Sequence, residues 1–197
     1  MKKILIPLLI LLSIHLEAQT FSQKSTTQGF TIALNLGYAG WGGEDLDPFT
    51  GGGIGFNFSP SYGFNERFTL FSSIEFAPNV NLGPLIEATT RSTLFEVGAK
   101  WMFGSTTSAL RPFIQAELMG HAVVVNDDID ILTFAGSGAG FGTGVKYFIN
   151  PELAISLALS IDFGTYTNVR FNDIQGDKDL AFYTKRAFIG MSSYNFY

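Results

Sequence analysis

The sequence predicts an all-β fold, an eight-stranded antiparallel up-and-down transmembrane β-barrel, and three observations carry that prediction. The first is periodicity. Glycines at 136, 138, 140, 142 and 144 alternate with Ser137, Ala139, Phe141 and Thr143, and beyond Asn150-Pro151-Glu152 the residues Leu153, Ile155, Leu157, Leu159, Ile161 and Phe163 alternate with Ala154, Ser156, Ala158, Ser160 and Asp162. A period of two marks strands, and the Asn-Pro-Glu interruption marks the turn of a hairpin. The second is polarity: large apolar residues share one face, while the other carries glycine, serine and single charges. That inverts a soluble sheet, because small polar residues fill a narrow interior and Phe, Leu and Ile are left for an apolar exterior. The third is recurrence. The pattern repeats eight times in segments of roughly ten residues, with long polar connections alternating with short turns.

In order along the chain, residues 1–19 read as a secretory signal, with Lys2 and Lys3 as the positive start, Ile4 to Ile14 as the apolar stretch and Glu17-Ala18-Gln19 as the junction. That stretch falls well short of the ~20 residues of a helical span. Residues 20–28 form a short polar periplasmic lead-in, and residues 29–197 the barrel. The first segment, Gly29 to Ala39, sets Phe30, Ile32, Leu34, Leu36 and Tyr38 against Thr31, Ala33, Asn35 and Gly37. The second, Gly53 to Tyr62, sets Ile54, Phe56, Phe58, Pro60 and Tyr62 against Gly55, Asn57, Ser59 and Ser61, then turns at Gly63 to Glu66. In the third, Phe68, Leu70, Ile74 and Phe76 oppose Thr69, Phe71, Ser73 and Glu75, and a loop from Pro78 to Thr90 follows. The fourth opposes Phe95, Val97, Ala99, Trp101 and Phe103 to Leu94, Glu96, Gly98 and Lys100. The fifth sets Ile114, Ala116, Leu118, Ala122 and Val124 against Gln115, Glu117, Met119 and His121. The sixth and seventh are the hairpin described above, and the eighth runs from Ala181 to the end. Trp101, Phe103, Tyr147 and Tyr38 stand where interfacial aromatic girdles belong.

Composition narrows the class. The chain has 46% hydrophobic and 15% charged residues, 20 Phe, 22 Gly and no Cys. Absence of cysteine excludes a disulfide scaffold, a zinc–thiolate site, a thiol nucleophile and a lipidated cysteine anchor. Without Lys2, Lys3 and Glu17 the balance is 10 basic against 16 acidic residues, so a nucleic-acid footprint is missing. In lipid every backbone polar group must be satisfied internally, and closing the sheet removes the unpaired edges. Eight strands leave an interior wide enough only for side chains.

The leading signal, the eight alternating segments, the hairpin from Gly144 to Ile155 and the aromatic finish Tyr194-Asn195-Phe196-Tyr197 resemble the outer-membrane β-barrel domain family, small eight-stranded barrels similar to the OmpA transmembrane domain and OmpX. The resemblance covers residues 29–197. It implies export to the periplasm, insertion by the barrel assembly machinery, which reads a last strand ending in an aromatic residue, and residence in the outer membrane of a Gram-negative envelope among outer-membrane lipid and lipopolysaccharide. Family members commonly end on Phe, whereas here Tyr197 follows Phe196.

By parity the inward-facing ionisable residues are Glu75, Glu96, Lys100, Glu117, His121, Lys146 and Asp162, with Arg186 a further candidate. An isolated buried charge is costly, so these groups should pair across strands. The expected contacts are Glu96 and Lys100 with Glu117, and Lys146 with Asp162. The network reads as a salt-bridged plug or as the lining of a thin ion path. The acidic external clusters Glu44/Asp45/Asp47, Asp127/Asp128/Asp130 and Asp173/Asp177/Asp179 offer the oxygen chemistry of calcium but not EF-hand spacing. They read as solvated loop charge, with divalent bridging to lipopolysaccharide phosphates as the sharper alternative. His121 is the sole histidine after the signal, and Val123 stands where the His-x-Ser of barrel lipid A deacylases needs serine, so it reads as a satisfied lumen histidine. No catalytic, cofactor or metal site is assigned. The expectation is a monomeric, non-enzymatic integral outer-membrane protein with a plugged polar lumen, acting in envelope integrity or surface interaction through long external loops. The alternative is a small porin-like channel for ions or small solutes.

Overall fold

The computed structural model describes residues 27–46, 50–78, 89–127, 130–172, 174–176 and 179–194. The signal and most of the lead-in lie outside these residues, as do Asp47, Asp128, Asp173, Asp177 and the final Phe196-Tyr197. The strands are β1 (Gly29–Gly42), β2 (Gly51–Gly63), β3 (Phe68–Pro78), β4 (Thr89–Met102), β5 (Leu110–Asn126), β6 (Ile131–Asn150), β7 (Leu153–Phe171), β8 (Ile174–Gly176) and β9 (Leu180–Tyr194), with a 3-10 turn at Glu44–Leu46. Eight of them form a closed antiparallel barrel: β1 to β7 pair in sequence, and β9 joins β7 to β1. The three-residue β8, unforeseen from the sequence, adds to the top of β7 within what reads as the last loop.

The alternation has the expected consequence. Leu118 and Phe141 are 70% and 68% exposed on the outer face, while their neighbours Glu117 and Gly140 point inward and are buried. Two turns at one end of the barrel use the same chemistry. The Asn65 side-chain carbonyl accepts from the N–H groups of Arg67 and Phe68 at 2.9 Å, and that of Asn150 accepts from Glu152 N–H at 2.9 Å, the local side-chain bonding that favours Asn in turns. A third turn, between β4 and β5, contains Gly104 at φ 89°, a conformation that favours glycine. Tyr62, Phe64, Phe68 and Trp101 form a continuous ring contact around this turn end, with centroids 5.3 to 6.4 Å apart.

At the opposite, loop end one expectation fails. The connection carrying Asp127 and Asp130 is short, because β5, β6 and β7 reach 17, 20 and 19 residues rather than roughly ten. Val123, Val124 and Val125 on β5 and Leu132 and Thr133 on β6 continue the ladder to Asn126 opposite Ile131, and the β-branched valines and threonine favour strand. A register shift between Ala135 and Gly136, opposite Asn168 and Tyr166, lets β7 bend as it rises. The wall from β5 to β7 therefore stands taller than the β1–β3 wall.

The interior is layered. Towards the loop end a cluster of buried residues includes Trp41, Leu46, Leu94, Met119, Val123, Phe134, Tyr166 and Phe182. Towards the turn end a smaller one comprises Met102, Phe113, Phe148, Ala154 and Tyr194. Between them lies a belt of charge.

Candidate functional site

The belt is organised by Arg186 on β9. Its parity with Thr184 and Phe188 turns it inward, where it is almost fully buried. Its Nη2 lies 2.5 Å from Glu96 Oε1, 2.8 Å from Glu117 Oε1 and 2.8 Å from Asp162 Oδ2, and its Nη1 lies 3.4 Å from Glu75 Oε2. Four strands thus each send one carboxylate to a guanidinium on a fifth. Neutral donors hold the carboxylates in place: Ser73 Oγ donates to Glu96 at 2.6 Å, Gln115 Nε2 to Glu117 at 2.7 Å, and Thr184 Oγ1 to Asp162. The glycine run makes room for the group. A Cβ at Gly140 would overlap the Asp162 carboxylate, and one at Gly142 would press on Gln115.

The expected pairings are corrected. Lys146 does not meet Asp162: Asp162 stands opposite Gly140, six positions along β6 from Lys146, or about 20 Å at a strand's rise. Lys146 instead donates to Ser192 Oγ at 3.3 Å and to the Tyr194 hydroxyl at 2.5 Å. Lys100 joins neither Glu96 nor Glu117. It stands opposite Thr69 and Gln115, and its ammonium lies over the rings of Phe71 and Phe113 at 5.0 and 4.6 Å from their centroids. Arg186, only a further candidate in the sequence, takes the carboxylates that these lysines were expected to share. Among the described residues Glu96, Glu117 and Asp162 also form the single group of three potential metal ligands, but the guanidinium already bridges them.

His121 belongs to the layer above. Its Nε2 is 2.8 Å from Ser92 Oγ and its Nδ1 is 2.8 Å from the Tyr166 hydroxyl, so both ring nitrogens are bonded. Tyr166 stacks on Phe182 with centroids 4.1 Å apart, and Trp41 stands edge-on to Tyr166 at 6.2 Å. A Ser–His contact invites a catalytic reading, but a tyrosine hydroxyl occupies the orienting position where a hydrolytic triad has a carboxylate. Ser92, His121 and Tyr166 are also all buried. Nothing in the sequence joins Ser92 to His121 except the inward parity of both strands.

At the turn end, Arg111 is fully buried over the Phe148 ring, 3.8 Å from Glu66 Oε2, and it donates to the Glu66 carbonyl. Thr27, from the expected lead-in, is buried here too. Its N–H donates to the Glu66 carboxylate at 3.1 Å and its hydroxyl to the Glu66 carbonyl at 3.0 Å, so the chain closes this mouth before β1 begins. Parity alone does not reveal either residue's role, because both depend on how a turn folds across the opening.

The acidic external clusters are not assembled into sites among the described residues. Glu44 and Asp179 are exposed, and Asp45 lies in the 3-10 turn. Asp127 and Asp130 organise their own connection: the Asp127 carboxylate accepts from Asp130 N–H at 2.9 Å, and that of Asp130 accepts from Asn172 Nδ2 at 2.9 Å. Asn172 holds φ 52°, a left-handed conformation in which Asn is enriched.

No protein-family profile and no curated protein matches the sequence. Solved structures do match. Neisserial surface protein A superposes with a TM-score of 0.64 at 15% identity, covering 84% of this chain and 97% of that one. The N-terminal β-barrel domain of Pseudomonas aeruginosa OprF gives 0.57 at 15% identity, covering 84% and 97%. The Pseudomonas aeruginosa outer membrane protein OprG gives 0.55 at 12% identity, covering 87% and 98%. At these identities the likeness is one of fold, and the chain has the fold of the small eight-stranded outer-membrane β-barrels.

Proposed function

We propose that this chain is a non-enzymatic integral outer-membrane protein whose lumen is a structural plug and whose work, in envelope integrity or surface interaction, is done at the loop end. The observation that supports the reading is an ionic belt around Arg186 beneath a stacked aromatic layer, inside an outer face of exposed Leu, Ile and Phe. Eight strands enclose little more than their own side chains, and here large rings and a bridged guanidinium take that space. The solved structures of similar fold are a surface protein and outer-membrane proteins, which supports the location. In this reading the chain is exported, inserted as a monomer by the barrel assembly machinery, and surrounded by outer-membrane lipid and lipopolysaccharide. The external acidic residues are its solvated, surface-facing charge.

A second reading, a narrow channel, rests on the cavity of about 60 Å3 on the turn side of the belt, lined in part by Glu96, Lys100 and Lys146. Single-channel recording of the refolded chain in a planar bilayer separates the two, beside Glu96→Gln and Lys100→Met. The plug reading expects silence from a folded, inserted barrel. Steady openings whose size or ion preference changes in the variants overturn it in favour of the channel.

A further inference from the structure

Resting on the outer-membrane location proposed above, we propose that the outer face of the β9–β1–β2 wall, at its loop end, is a binding site for the phosphate of lipopolysaccharide in the external leaflet. Charge on the strands is sorted between the two faces of the wall. The four strand carboxylates, Glu75, Glu96, Glu117 and Asp162, all turn inward to Arg186. The exposed charged side chains of the described strands are Arg91, Arg170 and Lys185, three cations in the loop-end parts of β4, β7 and β9.

Lys185 stands over a recess. Tyr38, Gly40, Thr50, Gly52, Tyr183 and Lys185 line about 450 Å3 of open space, and Gly40 lies opposite Gly52 on one side and Lys185 on the other. Glycine keeps the floor bare. A Cβ at Gly40 or Gly52 would fall on the Tyr38 hydroxyl, and one at Gly42 on the Tyr183 hydroxyl. The two hydroxyls therefore lie over neighbouring positions of one face, about 7 Å apart along a strand. The Lys185 ammonium lies 4.8 Å from the Tyr183 ring centroid. Among the described residues no carboxylate stands at ion-pair distance from it, and neither hydroxyl has a hydrogen-bond partner. Three donors thus face one recess without a protein acceptor, and a phosphate has oxygens enough to accept from all three.

An apolar groove lies below. Turnward on the same strands, Leu34, Leu36, Phe56, Phe58 and Ile189 line about 510 Å3 of it. A polar recess above an apolar groove matches an amphiphile, with acyl chain in the groove and phosphate beside Lys185. A free phosphate or a polar peptide would use the upper half alone.

The test adds bisphosphorylated lipid A to the chain folded in maltoside micelles and counts retained lipid by native mass spectrometry. The expected result is one saturable lipid A, held at least about tenfold more tightly than dephosphorylated lipid A or phosphatidylglycerol, the effect of one charge-assisted hydrogen bond or more. Lys185→Met should weaken lipid A by about the same factor, and so should the double variant Tyr38→Phe/Tyr183→Phe, which keeps both rings. Arg91→Gln makes the same change of charge on β4, halfway round the barrel, and should leave binding unchanged. Folding of each variant is scored by its change of gel mobility on heating, and if Lys185→Met does not fold, the double variant decides. The site is overturned by absence of saturable lipid A binding, by equal binding in the folded variants, by equal retention of either control lipid, or by a loss in Arg91→Gln as large as in Lys185→Met. Failure of the unmodified chain to insert into lipid vesicles is a separate outcome, which overturns the membrane location itself and the site with it.

Discussion

The loop-end half of the lumen is filled by rings, and the middle by charges converging on a single side chain. In the ring layer many residues share the work: Trp41, Phe134, Tyr166 and Phe182 pack on one another, and His121 bonds through both nitrogens. In the belt, four carboxylates depend on Arg186, while Asp162 Oδ1 and Arg186 Nε keep no hydrogen-bond partner. The difference lies in how each layer fails. Dispersion contacts are spread over many atoms, so losing one ring leaves a cavity that its neighbours can partly close. An ionic cluster on one cation has no such reserve, since its remaining members repel.

Arg186→Met should therefore have the largest effect. It strands four buried carboxylates, and about 3–5 kcal/mol of stability should be lost, read as a drop in the urea midpoint of the barrel folded into lipid vesicles. A loss no larger than that of Trp41→Ala would erase the distinction between the layers. Trp41→Ala removes a buried ring packed on His121, Phe134 and Tyr166, and it should cost about 3 kcal/mol in the same assay. Gly140→Ala tests the room made for the belt without touching a charge. Its methyl would overlap the Asp162 carboxylate, and a cost of about 1–3 kcal/mol is expected, against little change for the outward Ala139→Gly. The smallest effect belongs to Tyr166→Phe. It keeps the ring stack and removes the hydroxyl bonded to His121 Nδ1, and the expected cost is about 1 kcal/mol. A much larger loss would mean that the ring layer, too, hangs on one polar contact.

Much of this architecture is readable before any coordinates. The alternation in β6 and β7 identifies Gly140 and Asp162 as inward and Phe141 and Ile161 as outward, because successive side chains of a strand must point to opposite faces. Asn150-Pro151-Glu152 announces its turn through the same side-chain chemistry that the Asn150–Glu152 hydrogen bond displays. The lengths of β5 to β7 are harder to read. Above the rim the ladder continues with Val125, Leu132 and Thr133, where an acidic loop is the simpler expectation. The three-residue β8 carries too few positions for any period to emerge. Trp41 is inward by parity, but its place at the centre of the ring layer depends on Phe134, Tyr166 and Phe182, brought from three other strands.

From the sequence alone come the strand period, the face of each residue, the inverted polarity and hence the barrel, since each follows from local geometry and from the solvation needs of backbone and side chains. Only the tertiary structure decides which inward charges meet. Parity assigns a face but no height, and the stagger between tilted strands sets residues of one lumen layer at different distances along their own strands. That stagger brings Glu75, Glu96, Glu117 and Asp162 to Arg186, and it leaves Lys100 and Lys146 on the turn side of the belt.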